Sequence, residues 1–151
     1  MANLLVVHGG APTAVINASL YGVIEQARSS GQIGKVLAAI GGTEAILKER
    51  FMDLLTYPET ETRKLLTTPA SSIGTSRFAL EPEHYQKMAE VLEKHDIRYV
   101  LMNGGNGTMD ACGKLQQACR EKGIFVVGVP KTIDNDLFGT DHCPGYASAA
   151  K

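Results

Sequence analysis

Tryptophan is absent from the 151 residues, and Phe, Trp and Tyr together make up 6%. The core must therefore be built mainly from aliphatic side chains, and 44% hydrophobic residues supply enough of them. Cysteine occurs three times, as Cys112, Cys119 and Cys143, with no CxxC pair, which excludes a disulfide framework. Cys112 and Cys119 would stand two turns apart on one helix face, roughly 10 Å along its axis, too far to bond. Buried thiols in a reducing compartment are expected. There is no charge surplus: 15 Lys plus Arg face 16 Asp plus Glu, a net charge of -1. That balance gives no general attraction to nucleic acid or to anionic membranes, so phosphate binding must be local. No apolar run approaches the roughly 20 residues needed to span a bilayer, and the MANLLVVHGG start lacks a basic region. A cytoplasmic protein is expected. Charged residues at 21% fit neither a disordered nor a fibrous chain. The length suits one domain.

What is present is a repeated order of apolar run, glycine-rich loop and helix. Residues 4–7 form an apolar, partly β-branched run ended by Gly9 and Gly10, as in a strand buried on both faces. Helical spacing follows over 13–27 and stops at Ser29-Ser30-Gly31. A second strand over 35–40 ends in Gly41-Gly42. Residues 43–80 are irregular, with short helical stretches at 44–50 and 59–66 and a Ser/Gly/Thr-rich loop over 71–76. Pro82 then opens a helix whose stripe Tyr85, Met88, Ala89, Leu92 reads as core, ending near Lys94-His95. A third strand at 99–102, a helix over 109–122 and a fourth strand at 124–129 complete the pattern, and a helix begins again at 146–151. No internal repeat or linker interrupts it. The alternation predicts a single α/β domain over 1–151: a mainly parallel sheet with helices on both faces, a Rossmann-like three-layer fold. Ligands in such sheets bind at the carboxyl ends of the strands.

Three loops at those ends carry chemistry. His8-Gly9-Gly10-Ala11-Pro12-Thr13 joins a strand to a helix, where bare backbone can approach a phosphate. It lacks the third glycine of a dinucleotide fingerprint. His8 is read as a hydrogen-bonded structural residue. Gly104-Gly105-Asn106-Gly107-Thr108 places three glycines and a carboxamide before a helix, so several N–H groups can converge on polyphosphate oxygens. It lacks the Gly-Lys-Ser/Thr ending of a Walker loop. Pro130-Lys131-Thr132-Ile133-Asp134-Asn135-Asp136 concentrates one cation and two carboxylates beyond a buried strand. One carboxylate can take a proton from an attacking hydroxyl, another can hold a divalent ion, and the lysine can neutralise a transferring phosphoryl group. Together these are the parts that phosphoryl transfer requires. His142-Cys143 shows no zinc spacing and reads as loop.

Gly104 to Thr108 resembles the GGDGS/T loop of the phosphofructokinase family, and Pro130 to Asp136 matches its PKTIDND signature. The similarity extends to GGAPTAVIN over 9–17, to Gly74-Thr75-Ser76-Arg77-Phe78, and to Gly139-Thr140-Asp141 with Pro144-Gly145. The resemblance implies transfer of a phosphoryl group from ATP to the 1-hydroxyl of fructose 6-phosphate, in glycolysis, with Mg2+. It implies Asp134 as the base, with Lys131 and Arg77 also catalytic and Arg77 on the moving phosphoryl group. Gly10, Arg77, Phe78, Gly105, Asn106, Gly107 and Thr108 would line the donor site, Thr132, Asp134 and Asp136 would hold the sugar, and Asn106 and Asp136 would be the metal ligands.

Two positions pull the donor in opposite directions. A glycine at 107 leaves room for an α-phosphate and ranks ATP ahead, whereas Lys131 stands where pyrophosphate-type members have lysine. Asn106 stands where ATP-type members have a magnesium-linked Asp, which implies weaker metal binding. Catalytic chains of this family are about twice as long, so the resemblance implies a segment cut before the second, sugar-phosphate-completing domain, inactive alone, from a parent that is a homo-oligomer. The alternatives are a non-catalytic phosphate- or nucleotide-binding module, an NAD- or lipid-kinase relative with a GGDG-type loop, which the PKTIDND match opposes, and a Rossmann oxidoreductase, which the glycine spacing opposes.

Overall fold

The computed structural model of the chain describes residues 1–150. Five strands form one sheet in the order β3-β2-β1-β4-β5: β1 Ala2–His8, β2 Ile33–Ala39, β3 Phe51–Asp53, β4 Ile97–Gly104 and β5 Phe125–Pro130. The pairings β1 with β2, β1 with β4, and β4 with β5 are parallel. β3 runs antiparallel to β2 on the edge. The four parallel strands are the expected ones, with β1 and β4 longer at both ends, β2 starting two residues earlier and ending one earlier, and β5 shifted by one residue, and the fold is the expected α/β fold. β3 is an addition. Its three half-buried residues carry no alternation, and Asp53 leaves the strand at once to accept the Leu55 amide at 3.0 Å and cap a 3₁₀ turn.

The helices are α1 Ala14–Ser30, α2 Glu44–Leu47, α3 Glu59–Thr62, α4 Pro82–Lys94, α5 Asn106–Cys119 and α6 Tyr146–Ala150. Gly31, at φ 63, takes the left-handed position that ends α1. Pro82 sits in the first turn of α4, where Glu81 and His84 cap each other reciprocally. α5 begins at 106 rather than 109, so Asn106, Gly107 and Thr108 are helical rather than loop residues.

Alternation along the strands sends side chains to two cores. Leu5, Val7, Val100 and Met102 pack with Met88 and Leu92 of α4 and Leu115 of α5. Leu4, Val6, Val36 and Ala38 pack with Leu20 and Ile24 of α1. The layer formed by α1 covers β1 and β2 but not β5, whose Phe125 and Val127 on that face are 58% and 52% exposed. Phe125 lies there in a stacked pair with Tyr99, ring centroids 6.1 Å apart.

Register fixes where the loops gather. His8 stands beside Asn103, Asn103 beside Val129, and Gly104 beside Pro130, so β1, β4 and β5 end together at one rim. β2 contributes Gly41, whose amide donates to Ile73 O at 2.8 Å and draws the 71–76 loop to the same rim.

Candidate functional site

The first two glycine loops adjoin at that rim. A Cβ at Gly10 would lie 3.7 Å from Gly105 N, and Gly10 itself needs the left-handed φ of +71. Thr108 is buried between the loops. Its hydroxyl occupies the space that a side chain at either Gly9 or Gly104 would need. Gly105 caps α5, whose first turn holds no acidic residue, so its unpaired N–H groups and dipole favour an anion.

A cavity of about 370 Å³ opens over this cradle. Of the expected donor residues, Gly10, Phe78, Gly105, Gly107 and Thr108 line it. Arg77 is exposed and lies outside the lining, between the lining residues Ser76 and Phe78. Asn106 points elsewhere, to Asp136. Sequence reasoning missed Thr43, Asp110 and Lys114, which also line the cavity. Asp110 and Lys114 form an i,i+4 ion pair at 2.6 Å on the α5 face that carries Gly107. Tyr85, read as core, is buried and lines the cavity as well.

Below the cradle His8 is fully buried, with Nδ1 2.8 Å from Ser71 Oγ. Its Nε2 has no hydrogen-bond partner among the described residues, nor do the buried Asn103 Oδ1 and Thr13 Oγ1. Burial lowers the His8 pKa to about 4, so the ring is neutral at pH 7.

The third loop starts by docking on the second: Lys131 N donates to Gly104 O at 2.8 Å. The Lys131 side chain is 3% exposed and its ammonium donates to Ala11 O in the first loop. Burial lowers its pKa, partly opposed by the Asp134 charge. Gly145 walls its stem: a Cβ there would lie 2.8 Å from Lys131 Cγ. Thr132 is buried, and Thr132 Oγ1 donates to Asp136 Oδ1 at 2.7 Å while accepting from Asp134 N at 3.2 Å. Asn135, at φ 55, accepts from Cys143 N at 2.9 Å and donates to Asp141 O at 3.3 Å. Asp134 is exposed, and among the described residues its carboxylate makes no hydrogen bond or ion pair. No residue of this loop lines the cavity itself; beside the cradle the loop carries one unpartnered carboxylate, Asp134, and one buried cation, Lys131.

Asn106 and Asp136, the expected metal ligands, meet directly, Nδ2 donating to Oδ2 at 2.9 Å. A carboxamide turned this way offers N–H rather than oxygen to its neighbour, and this arrangement does not fit a divalent cation held by both side chains. Among the described residues no three His, Cys, Asp or Glu side chains gather as a metal group. Cys112, Cys119 and Cys143 are free and buried, and exposed His142 packs edge-on against Tyr146.

The family model described as phosphofructokinase matches residues 3–151. The pyrophosphate–fructose 6-phosphate 1-phosphotransferase of Xanthomonas campestris pv. campestris is 42% identical over 156 residues, covering 99% of this chain and 37% of that protein. The ATP-dependent 6-phosphofructokinase of Vibrio cholerae is 30% identical over 146 residues, covering 95% of this chain and 43% of that protein. The crystal structure of the pyrophosphate-dependent phosphofructokinase from Nitrosospira multiformis aligns with a TM-score of 0.89 at 39% identity, over 96% of this chain and 37% of that one. The chain thus spans well under half the length of these relatives. With the family model matching residues 3–151 and relatives at 30–42% identity covering nearly all of it, the chain belongs to the phosphofructokinase family.

Proposed function

We propose that the protein carrying this segment transfers a phosphoryl group to the 1-hydroxyl of fructose 6-phosphate, with pyrophosphate ahead of ATP as donor. The observation that carries the reading is the convergence on one rim of the Gly105–Thr108 cradle, the buried Lys131 and the exposed Asp134. The donor's phosphates would lie on the α5 N-terminus and the adjoining Gly10 backbone. Asp134 would accept the proton of the sugar hydroxyl, whose oxygen bonds to the terminal phosphorus as the bridging P–O bond breaks. The leaving group departs as phosphate from pyrophosphate, or as ADP from ATP. Lys131 lies beside both glycine loops, and its charge would offset that of the transferring group. Thr132 and Asp136 would shape the sugar side. No step is assigned to a resident metal.

Pyrophosphate stands first because Lys131 is fixed at the cradle and because the relatives at 42%, 39%, 35% and 38% identity bear pyrophosphate in their names. ATP remains the second reading on one observation: nothing lies within 4 Å of a Cβ at Gly107, so the cavity has room beside the phosphates for a longer donor. The sugar phosphate's remaining contacts, and a homo-oligomeric assembly, belong in this proposal to the rest of the protein. Turnover of the full-length protein with pyrophosphate and with ATP, each at matched Mg2+, tests it. Pyrophosphate turnover about tenfold or more above that with ATP supports the donor order. Turnover with ATP alone reverses it, and none with either donor overturns the function.

A further inference from the structure

Asn106 begins α5 and Asp136 lies in the loop after β5, 30 residues on, yet the two side chains are hydrogen-bonded. That contact is the first of three hydrogen bonds in series. Asn106 Nδ2 donates to one oxygen of Asp136, Thr132 Oγ1 donates to the other, and the same Thr132 oxygen accepts the backbone N–H of Asp134. Thr132 is 5% exposed, so packing fixes its rotamer, and its single proton is committed to Asp136. The Asp134 amide is thereby anchored to the phosphate cradle through two side chains. Asn135 ties down the far side of the loop, to Cys143 and Asp141.

We infer that Asn106 is a positioning residue for Asp134, a neutral N–H latch that couples the donor cradle to the acceptor loop without a metal ion. The role of Asp134 rests on the phosphofructokinase reading; the latch does not. A carboxylate at 106 would put two anions at hydrogen-bond distance, a contact that requires a shared proton or a cation between them. A carboxamide N–H requires neither, and its bond to an ionised acceptor is charge-assisted. Successive bonds in such a chain also polarise one another, so loss of the first member is felt at the last. The consequence is a loop that is set before any donor arrives and stays set when free metal is removed.

The test uses amide exchange and Mn2+ line broadening by NMR in the 151-residue chain. Asn106→Ala is expected to speed exchange at Asp134 about tenfold while core amides such as Val100 are unchanged. Asn106→Asp is expected to behave likewise in chelator and to recover slow exchange with added Mn2+, which then broadens residues 106 and 136. The unmutated chain is expected to exchange equally with Mn2+ and with chelator. Unchanged Asp134 exchange in Asn106→Ala, or protection in the unmutated chain only with Mn2+, overturns the latch. In the full-length protein Asn106→Ala is expected to lower kcat about tenfold or more with KM altered less than about threefold. An unchanged kcat overturns the positioning role. A wild-type protein without phosphofructokinase turnover overturns the functional reading while the exchange results stand on their own.

Discussion

The hydroxyl of Thr108 lies where a side chain on Gly9 would have to be, and its Cγ2 and Cβ stand 3.2 and 3.3 Å from that same Cβ position. Gly104 meets the Thr108 hydroxyl too, but its Cβ would also lie 2.6 Å from the carbonyl oxygen of Gly9. The two glycines therefore differ in what excludes a side chain. At Gly9 a side chain is the obstacle; at Gly104 backbone is as well.

That difference predicts opposite outcomes in a double-mutant cycle. Gly9→Ala and Gly104→Ala are each expected to destabilise the chain by about 1–3 kcal/mol through overpacking. Adding Thr108→Ala removes the two nearest atoms, the hydroxyl and Cγ2, and leaves Thr108 Cβ at 3.3 Å as the next nearest, so it should recover about half or more of the Gly9→Ala loss. It should recover little for Gly104→Ala, because the Gly9 carbonyl stays in place. Urea unfolding of the single and double variants measures both couplings, and equal rescue at both glycines would refute this account.

His8 predicts how stability varies with pH. Its folded-state pKa is lowered by burial to about 4 from 6.5, so in acid the unfolded chain takes up the proton first. The His8 contribution is complete above pH 6.5, is lost progressively as pH falls toward 4, and amounts to about 3 kcal/mol at most. Glu44 and Glu49 have lowered pKa values, led respectively by hydrogen bonds from Lys48 and from Lys94, so their contributions are lost only as pH drops below the ordinary carboxylate value of 4.5. The interval between 6.5 and 4.5 is thus diagnostic. In unfolding curves taken across it, the falling stability of the unmutated chain should flatten in His8→Gln, and an unaltered slope would remove His8 as its cause.

Much of this rim is legible in the sequence, and the parts that are not have physical reasons. β1, β2 and β4 are apolar runs buried largely on both faces, β5 is an apolar run buried on one, and each is followed by glycine or closed by proline, so composition alone marks them. β3 has only three residues and depends on β2 for its existence. The start of α5 is hidden because Asn, Gly and Thr are weak helix formers, and the seating of Thr108 between Gly9 and Gly104 decides the boundary. With the helix starting at 106, the spacing 107, 110, 111, 114 becomes one face, and the missed Asp110 and Lys114 fall beside Gly107. The pairing of Asn106 with Asp136 spans 30 residues and comes from the adjacency of β4 and β5, which no local pattern encodes.

Gly107 separates stability from donor choice. It occupies the first turn of α5, with nothing within 4 Å of a Cβ, so a side chain fits without strain. Gly107→Asp is expected to stabilise the chain by about 0.5–1 kcal/mol, replacing a poor helix former and placing an anion near the helix N-terminus. The same carboxylate would oppose a polyphosphate and should weaken ATP binding about tenfold or more. Thermal unfolding and calorimetry with ATP read the two effects separately. A variant that loses stability, or binds ATP unchanged, contradicts the placement of Gly107 beside the donor.

Asn135 is expected to govern the loop that presents Asp134, and Cys143 provides a way to observe it. Asn135 holds φ 55, a left-handed conformation that asparagine tolerates better than most residues. Its side chain takes the Cys143 amide proton and donates to Asp141 O, closing the loop over the buried, free Cys143. Asn135→Ala loses both bonds and pays the left-handed cost, together about 1–3 kcal/mol of local stability. Asn135→Gly keeps the backbone angle and loses only the bonds, so it should fall between alanine and the parent. The local opening exposes Cys143 while Cys112 and Cys119, on α5 in the core between α4, α5 and the sheet, stay protected. Thiol labelling located by mass spectrometry should therefore show Cys143 reacting faster in the order parent, glycine, alanine, by about tenfold or more at the end of the series. Equal labelling in all three would mean that Asn135 does not hold the loop closed.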